Sequence, residues 1–351
     1  MKEIKIGKYT IGKNHPPFII AEMSGNHNHS LERAFAIVDA AAASGAHALK
    51  IQTYTPDTMT LNIAEKEFFI SDSNSLWKGK SLYDLYAEAM TPWEWHKPIK
   101  ERCEKHGMLF FSTPFDFTAV DFLEELNVDF YKIASFENTD LPLIRKVAKT
   151  GKPLIISTGM ASKEELAEMV EAANNAGCKD LILLKCTSAY PASPKEANLL
   201  TIPNIRELFE VEVGLSDHTM GVGVAIASVA LGASVIEKHF TLDRSEGGVD
   251  SAFSMEPAEF KLLVEESKKA WKSLGKISYE RSEAEKKSLV FRRSLYIAED
   301  MKAGEVLTEK NPRAIRPGLG LPPKHYEKLL GSKVARDLKK GTPVSWDDIL
   351  K

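Results

Sequence analysis

The sequence predicts an α/β fold: a (β/α)8 TIM barrel followed by a small β-rich domain. Three observations carry this. Eight short apolar runs alternate with helical segments between residues 18 and 274, the unit count that a parallel barrel requires. Several of these runs are apolar at nearly every position and end on a polar residue, as parallel strands buried on both faces do. Beyond residue 290 the texture changes to short β-like pieces separated by Gly and Pro turns.

In chain order the expected strands are FIIAEM (18–23), ALKIQT (48–53), LFFSTP (109–114), FYKIAS (130–135), LIISTG (154–159), LILLKC (181–186), EVGLSD (212–217) and VIEKHF (235–240). Helical stretches such as LERAFAIVDAAAASGA and SKEELAEMVEAANNAGC lie between them. The run GVGVA after His218 has the wrong last position for a dinucleotide loop and is expected to be helix packing. Residues 54–91 form an aromatic-rich insertion suited to a rim loop. In the final barrel helix, 257–274, Phe260, Leu263, Val264, Trp271 and Leu274 fall on one stripe facing the core. KISYERSEAEKKS then reads as a charged linker or an exposed helix. The expected boundaries are a barrel domain over 1–276, a linker over 277–290 and a small domain over 291–351.

Composition narrows the class. Hydrophobic residues make up 43% and charged residues 27% of the chain, which describes an ordinary globular protein. No stretch reaches the roughly eighteen apolar residues a bilayer span needs, and the N-terminus lacks a signal-peptide pattern. Cys103, Cys178 and Cys186 are odd in number and without metal-ligand spacing, so reduced thiols and a cytoplasmic location are expected. Small-molecule substrates are expected as partners, with neither nucleic acid nor membrane. The net charge of −3 conceals an excess of Lys and Arg in 290–351 over an acidic remainder. That asymmetry suits an anionic ligand held where the two parts meet; a solvated charged surface explains it equally well.

The chemistry is expected where the strands end, at the C-terminal rim of the barrel. His218 in GLSDHT and His239 in VIEKHF close consecutive strands. Two imidazoles on neighbouring strand ends make a divalent-metal site for an ion such as Mn, Fe, Co or Zn; the competing reading is a pair of hydrogen-bonded rim histidines. Lys50 and Lys132 lie inside apolar runs, where an unpaired charge is costly. Surrounded by the Ser and Thr hydroxyls at the strand ends, among them Ser112, Thr113, Ser135, Ser157, Thr158 and Ser216, they form a cradle for a phosphorylated, carboxylated ligand. Glu22, Glu137 and Asp250 complete the rim and are candidates to ligate a metal, hold sugar hydroxyls or orient water.

At these residues the chain resembles the sialic acid synthase family over nearly its whole length. The similar runs are IAEMSGNHNHS, KIQTYTPD, FFSTPFD, YKIASFE, ISTGMAS, LKCTSAYP, GLSDHT, IEKHF, FRRSLYIAEDMKAGE and IRPGLG. The resemblance implies a transferase that condenses phosphoenolpyruvate with an N-acetylated amino sugar, using a divalent cation, commonly Mn or Mg. It implies a C-terminal antifreeze-like (SAF) domain that caps the partner's barrel in a domain-swapped homodimer. It further implies that His218 and His239 bind the metal, and that Lys50, Gln52, Thr113, Lys132, Ser135, Ser157 and Ser216 hold phosphoenolpyruvate. Glu22, Glu137, Tyr190 and Asp250 would face the sugar or the reacting water, and Arg316 would reach across the dimer to the N-acetyl group. Ser188 departs from the family's usual Asn in CTNxYP; its hydroxyl can still donate to a phosphate or carboxylate. Within the family, KIQTYTPDTMTLN, LYDLYAEAMTPWEWH, CTSAYP and EGGVDSAFS are most similar to the pseudaminic acid synthase branch, whose acceptor is 2,4-diacetamido-2,4,6-trideoxy-L-altrose. The neighbouring branches use N-acetylmannosamine or the legionaminic acid precursor. Two other classes compete: a non-catalytic carbohydrate- or ice-binding relic, and an aldolase that forms a lysine Schiff base.

Overall fold

The computed structural model describes residues 2–73 and 75–350. The chain divides into two compact units, Met1–Gly275 and Lys276–Lys351.

The first unit opens with an antiparallel hairpin, β1 (Ile4–Ile6) and β2 (Tyr9–Ile11). Eight parallel strands follow: β3 (Phe18–Glu22), β4 (Ala48–Thr53), β5 (Leu109–Pro114), β6 (Tyr131–Ile133), β7 (Leu154–Ser157), β8 (Leu181–Cys186), β9 (Glu212–Asp217) and β10 (Val235–His239). Each pairs with the next, and β10 pairs with β3 to close the barrel. Alternation along each strand splits the core in two. Outward positions such as Ile19, Leu49, Ile51, Leu183 and Ile236 pack against the surrounding helices. Inward positions such as Phe18, Ile20, Phe111, Phe130, Ile155, Leu184 and Val235 fill the barrel from its N-terminal end. Phe111 and Phe130 stack there with ring centroids 3.9 Å apart.

The hairpin was not anticipated from sequence, and its three short apolar positions explain why. Ile4, Ile6 and Ile11 pack into the inward cluster, so the hairpin stoppers the N-terminal end of the barrel; neither of its three-residue strands carries enough periodicity to announce that. Two other expectations are corrected. FYKIAS holds its sheet pairing only over Tyr131–Ile133, because Ser135–Glu137 turns into a 3-10 helix. Leu274, assigned to the core stripe, is 48% exposed at the C-terminal end of its helix, whereas Phe260 and Leu263 are buried. The insertion after β4 contains a helix, Leu82–Ala89, capped by the Ser81 hydroxyl accepting from the Asp84 amide.

In the second unit, the charged segment forms a short helix, Glu283–Ser288, opened by a Ser282/Glu285 capping box. Strands β11 (Ser294–Ile297) and β12 (Pro312–Ile315) then pair antiparallel. A small core forms around Leu295, Ile297, Met301, Leu307, Leu329, Val334, Leu338 and Val344. Among the described residues, no helix is long and apolar enough to cross a membrane.

Candidate active site

A switch in chemistry along the inward face of the barrel creates the site. Above the phenylalanine layer, the next inward positions on β3, β4, β6 and β10 are Glu22, Lys50, Lys132 and Glu237, all buried. Glu22 lies directly across from Lys50 in the register, with Oε2 2.9 Å from the ammonium. Glu237 Oε1 lies 3.3 Å from Lys132 Nζ and 3.6 Å from Lys50 Nζ. Two ammonium groups therefore share two carboxylates, which is what makes four buried charges tolerable in one place. Burial opposes the charge on Lys50, yet Glu22 and Glu237 raise its pKa overall; burial lowers that of Lys132. Burial raises Glu22 in spite of Lys50, while Glu237, also opposed by burial, is held low by Lys132 and Lys50.

Hydroxyl and amide groups surround this floor. Gln52 Nε2 donates to Glu22 Oε1 at 3.0 Å and to Ser24 Oγ at 3.1 Å. Ser216 Oγ donates to Glu237 Oε1 at 3.4 Å, and Ser135 Oγ accepts from the Gly159 amide at 3.2 Å. Gly159 has to lack a side chain: a Cβ there would meet Ser188 Oγ at 2.2 Å and Ser135 Oγ at 2.6 Å. Ser157 Oγ is buried with no partner. An orphaned buried hydroxyl that lines the same cavity as two lysines is primed for an anionic acceptor.

The two histidines stand beside this floor, their ring centroids 5.3 Å apart. His218 Nδ1 lies 3.0 Å from the Thr187 carbonyl oxygen; donating there leaves Nε2 as the lone-pair nitrogen. His239 Nδ1 is buried without a hydrogen-bond partner, 3.8 Å from Asp250 Oδ2. Burial, reinforced by His218 and the two lysines, pushes the His239 pKa well down, so its imidazole is neutral. Burial opposes charge on His218, yet Cys186 and the Thr187 carbonyl raise its pKa overall. Two imidazoles this close, one of them with an orphaned buried nitrogen, fit a divalent cation. Among the described residues, no group of three or more His, Cys, Asp or Glu side chains is arranged to hold a metal, so the pair by itself would leave coordination positions open. Asp250 accepts a hydrogen bond from the Ser24 hydroxyl.

Glu137 enters from the turn after β6. Its Oε2 is buried and unpartnered, and burial raises its pKa to about 7, against the pull of Lys132. A carboxyl with that value is matched to proton transfer near neutral pH. Tyr190 packs near both imidazoles, tilted at 4.5 Å from the His218 ring and edge-on at 6.5 Å from the His239 ring.

Of the residues expected from sequence, Glu22, Lys50, Gln52, Lys132, Ser135, Glu137, Ser157, Tyr190, Ser216, His218, His239 and Asp250 line one cavity of about 300 Å³. Thr113 and Ser188 are not on its wall. Thr113 stands behind Lys50, its Oγ1 accepting from Nζ at 3.4 Å; Ser188 Oγ lies 3.9 Å from Cys186 Sγ. Arg316 is exposed on the second unit. Sequence reasoning missed Glu237, although inward alternation from His239 marks it two positions earlier. It also missed Ser24 and Cys186 as site residues, and it placed the insertion at the rim without naming the side chains that form its wall: Met59, Ile70, Trp77, Leu82, Leu85 and Tyr86. That wall is tied to the Asp250 loop by Trp77 Nε1, which donates to the Val249 carbonyl at 2.9 Å.

Residues 37–279 match the NeuB family and residues 292–350 match the SAF domain. The chain is 45% identical to the pseudaminic acid synthase of Campylobacter jejuni (strain 81-176), across 98% of this chain and 99% of that protein. It is 46% identical to the pseudaminic acid synthase of Helicobacter pylori (strain ATCC 700392 / 26695), across 95% of this chain and 98% of that one. Among solved structures, the N-acetylneuraminic acid (sialic acid) synthetase of Leptospira borgpetersenii serovar Hardjo-bovis in complex with citrate aligns with a TM-score of 0.73. It shares 34% identity and covers 82% of this chain and 95% of that one.

Proposed function

The chain belongs to the NeuB family, and from that premise we propose that it catalyses the reaction of a pseudaminic acid synthase. Phosphoenolpyruvate and 2,4-diacetamido-2,4,6-trideoxy-L-altrose condense, water is added and phosphate leaves, giving a nine-carbon 2-keto sugar acid. The observation that carries this reading is the shared cavity: two buried ammonium groups and an orphaned serine hydroxyl lie beside two imidazoles and a carboxyl with one unpartnered oxygen.

Lys50 and Lys132 hold the phosphate and carboxylate of phosphoenolpyruvate, with Ser135, Ser157 and Ser216 donating to their oxygens. Each anion that arrives relieves Glu237 as counter-ion to the two ammonium groups. His218 and His239 would hold the divalent cation, Mn or Mg, which when bound supplies Lewis acidity toward the sugar's aldehyde oxygen. C3 of phosphoenolpyruvate bonds to C1 of the open-chain sugar, and the aldehyde oxygen takes up a proton. Positive character then develops at C2, where the carboxylates of Glu22 and Glu237 stabilise it. Water bonds to C2 and gives its proton to Glu137. The bond from C2 to the phosphate oxygen breaks, the departing phosphate takes the proton of the new C2 hydroxyl, and the ketone forms. Asp250 and Tyr190 orient the sugar, whose methyl groups meet the apolar wall of the insertion.

A domain-swapped homodimer, with Arg316 of one chain reaching the sugar in its partner, accompanies this reading. Exposed Phe117, Phe136, Met160, Leu200 and Met220, on the segments that follow β5 to β9, support it, since an apolar rim of this kind suits a covering partner.

Phosphate release with purified acceptors tests the assignment. Turnover is expected with the 2,4-diacetamido-2,4,6-trideoxy-L-altrose acceptor well above that with N-acetylmannosamine or the legionaminic acid precursor. Equal or greater turnover with either alternative overturns the choice of sugar. Phosphate release with none of them, with borohydride trapping pyruvate on a lysine, overturns the reaction.

A further inference from the structure

Outside the cavity, one buried ion pair has no part in the mechanism above. Lys238 and Asp217 face away from the barrel interior, and their side chains are 1% and 2% exposed. They lie directly opposite one another in the β9–β10 register. Their alternation phase is that of Ile236 and Leu215, which belong to the helix-facing core. Lys238 Nζ is 3.0 Å from Asp217 Oδ2 and also donates to the Thr219 carbonyl oxygen. The other Asp217 oxygen accepts from the Thr219 amide at 2.9 Å. The chain on either side of His218 is thus gripped by one ammonium group, and that ammonium belongs to the residue preceding His239.

We propose that the Asp217–Lys238 pair is a positioning device that sets the spacing and direction of the His218 and His239 imidazoles for a shared divalent cation. The proposal rests on the cation reading given above. A buried pair is a poor source of net stability, because apolar residues of similar volume replace such pairs at little or no cost. What an apolar replacement cannot reproduce is the directional bond from β10 to the backbone that carries His218. The pleat then transmits this to the inner face, since neighbouring side chains on a strand project from opposite sides of a single backbone. Outer partners that fix a ligand's orientation typically change metal affinity by about 10- to 100-fold when removed.

The test uses the full-length protein, stripped of metal, and titrates Mn²⁺ calorimetrically into wild type, His239→Ala, Asp217→Asn and the double variant Asp217→Leu/Lys238→Met. Expected are a melting temperature for the double variant within a few degrees of wild type and an Mn²⁺ Kd weakened by about 10-fold or more in it and in Asp217→Asn. Imidazole ¹⁵N shifts of His218 and His239 in the metal-free proteins provide a second reading, and both are expected to move in the two pair variants. Wild-type Mn²⁺ affinity together with unmoved ¹⁵N shifts in Asp217→Asn overturns the proposal, and does so whether or not the double variant folds. If His239→Ala binds Mn²⁺ as tightly as wild type, the cation reading itself falls, and the assigned purpose of the pair falls with it.

Discussion

Glu137 and Glu237 are both acidic residues of the cavity, but their surroundings drive them in opposite directions, and each gives a prediction. Burial raises Glu137 from the usual 4.5 to about 7, so the folded protein holds that proton more tightly than the unfolded chain. The stability cost of ionising it is absent below about pH 4.5, grows as pH rises and is complete above about pH 7. Glu137→Gln is therefore expected to gain melting temperature relative to wild type as pH goes from 5 to 8. Activity follows the opposite sign: a base must be ionised, so kcat/KM should rise through pH 7. The Gln variant should lose that limb along with about 10²- to 10⁴-fold in rate. Glu237, by contrast, is needed ionised as the counter-ion shared by Lys50 and Lys132. Glu237→Gln should cost on the order of 3–5 kcal/mol. Phosphoenolpyruvate should restore part of that, seen as a larger ligand-induced rise in melting temperature than wild type shows.

At the level of elements, the insertion after β4 and the N-terminal hairpin do different work. The insertion makes the apolar wall of the cavity, and one indole hydrogen bond, from Trp77 to Val249, joins it to the loop carrying Asp250. Trp77→Phe keeps the wall and removes that bond. A loss of about 1 kcal/mol predicts a several-fold higher KM for the sugar with kcat and the KM for phosphoenolpyruvate little changed, measurable by steady-state kinetics. No residue of the hairpin lines the cavity. Ile6→Ala opens a void in the inward core and should cost about 2–5 kcal/mol in denaturant unfolding, while kcat at a permissive temperature stays near wild type. The same contrast explains what was legible. The insertion's aromatics drew notice as a rim loop, since that much apolar surface in a polar setting needs something to cover. The hairpin's isoleucines were too few and too close to the start of the barrel pattern to stand out.

For the whole molecule, the decisive question is whether one cavity draws on two chains. A site that joins His239 of one copy to Arg316 of another makes a specific prediction. His239→Ala and Arg316→Ala proteins, each nearly inactive alone, should regain about a quarter of wild-type turnover when unfolded and refolded together in equal amounts. Half of the dimers would then be mixed, each with one intact site. No recovery on mixing, in subunits shown to have exchanged, would confine the site to a single chain.

The sequence by itself determined the barrel and the small β domain, because strand and helix periods are local and each apolar run states its own burial. It also determined most of the cavity, since alternation puts Glu22, Lys50, Lys132, His218 and His239 on inward, rimward positions as soon as strands are assigned. Only the tertiary structure decided how those groups neutralise one another. Glu22 and His239 become neighbours when β10 closes onto β3, a pairing between residues more than two hundred positions apart that no local pattern encodes. Closure likewise sets Glu237 between two lysines, while the pairing of β9 with β10 makes Asp217 and Lys238 a buried ion pair. Charge pairing depends on distance through space, and in a barrel that distance is fixed by the last strand meeting the first.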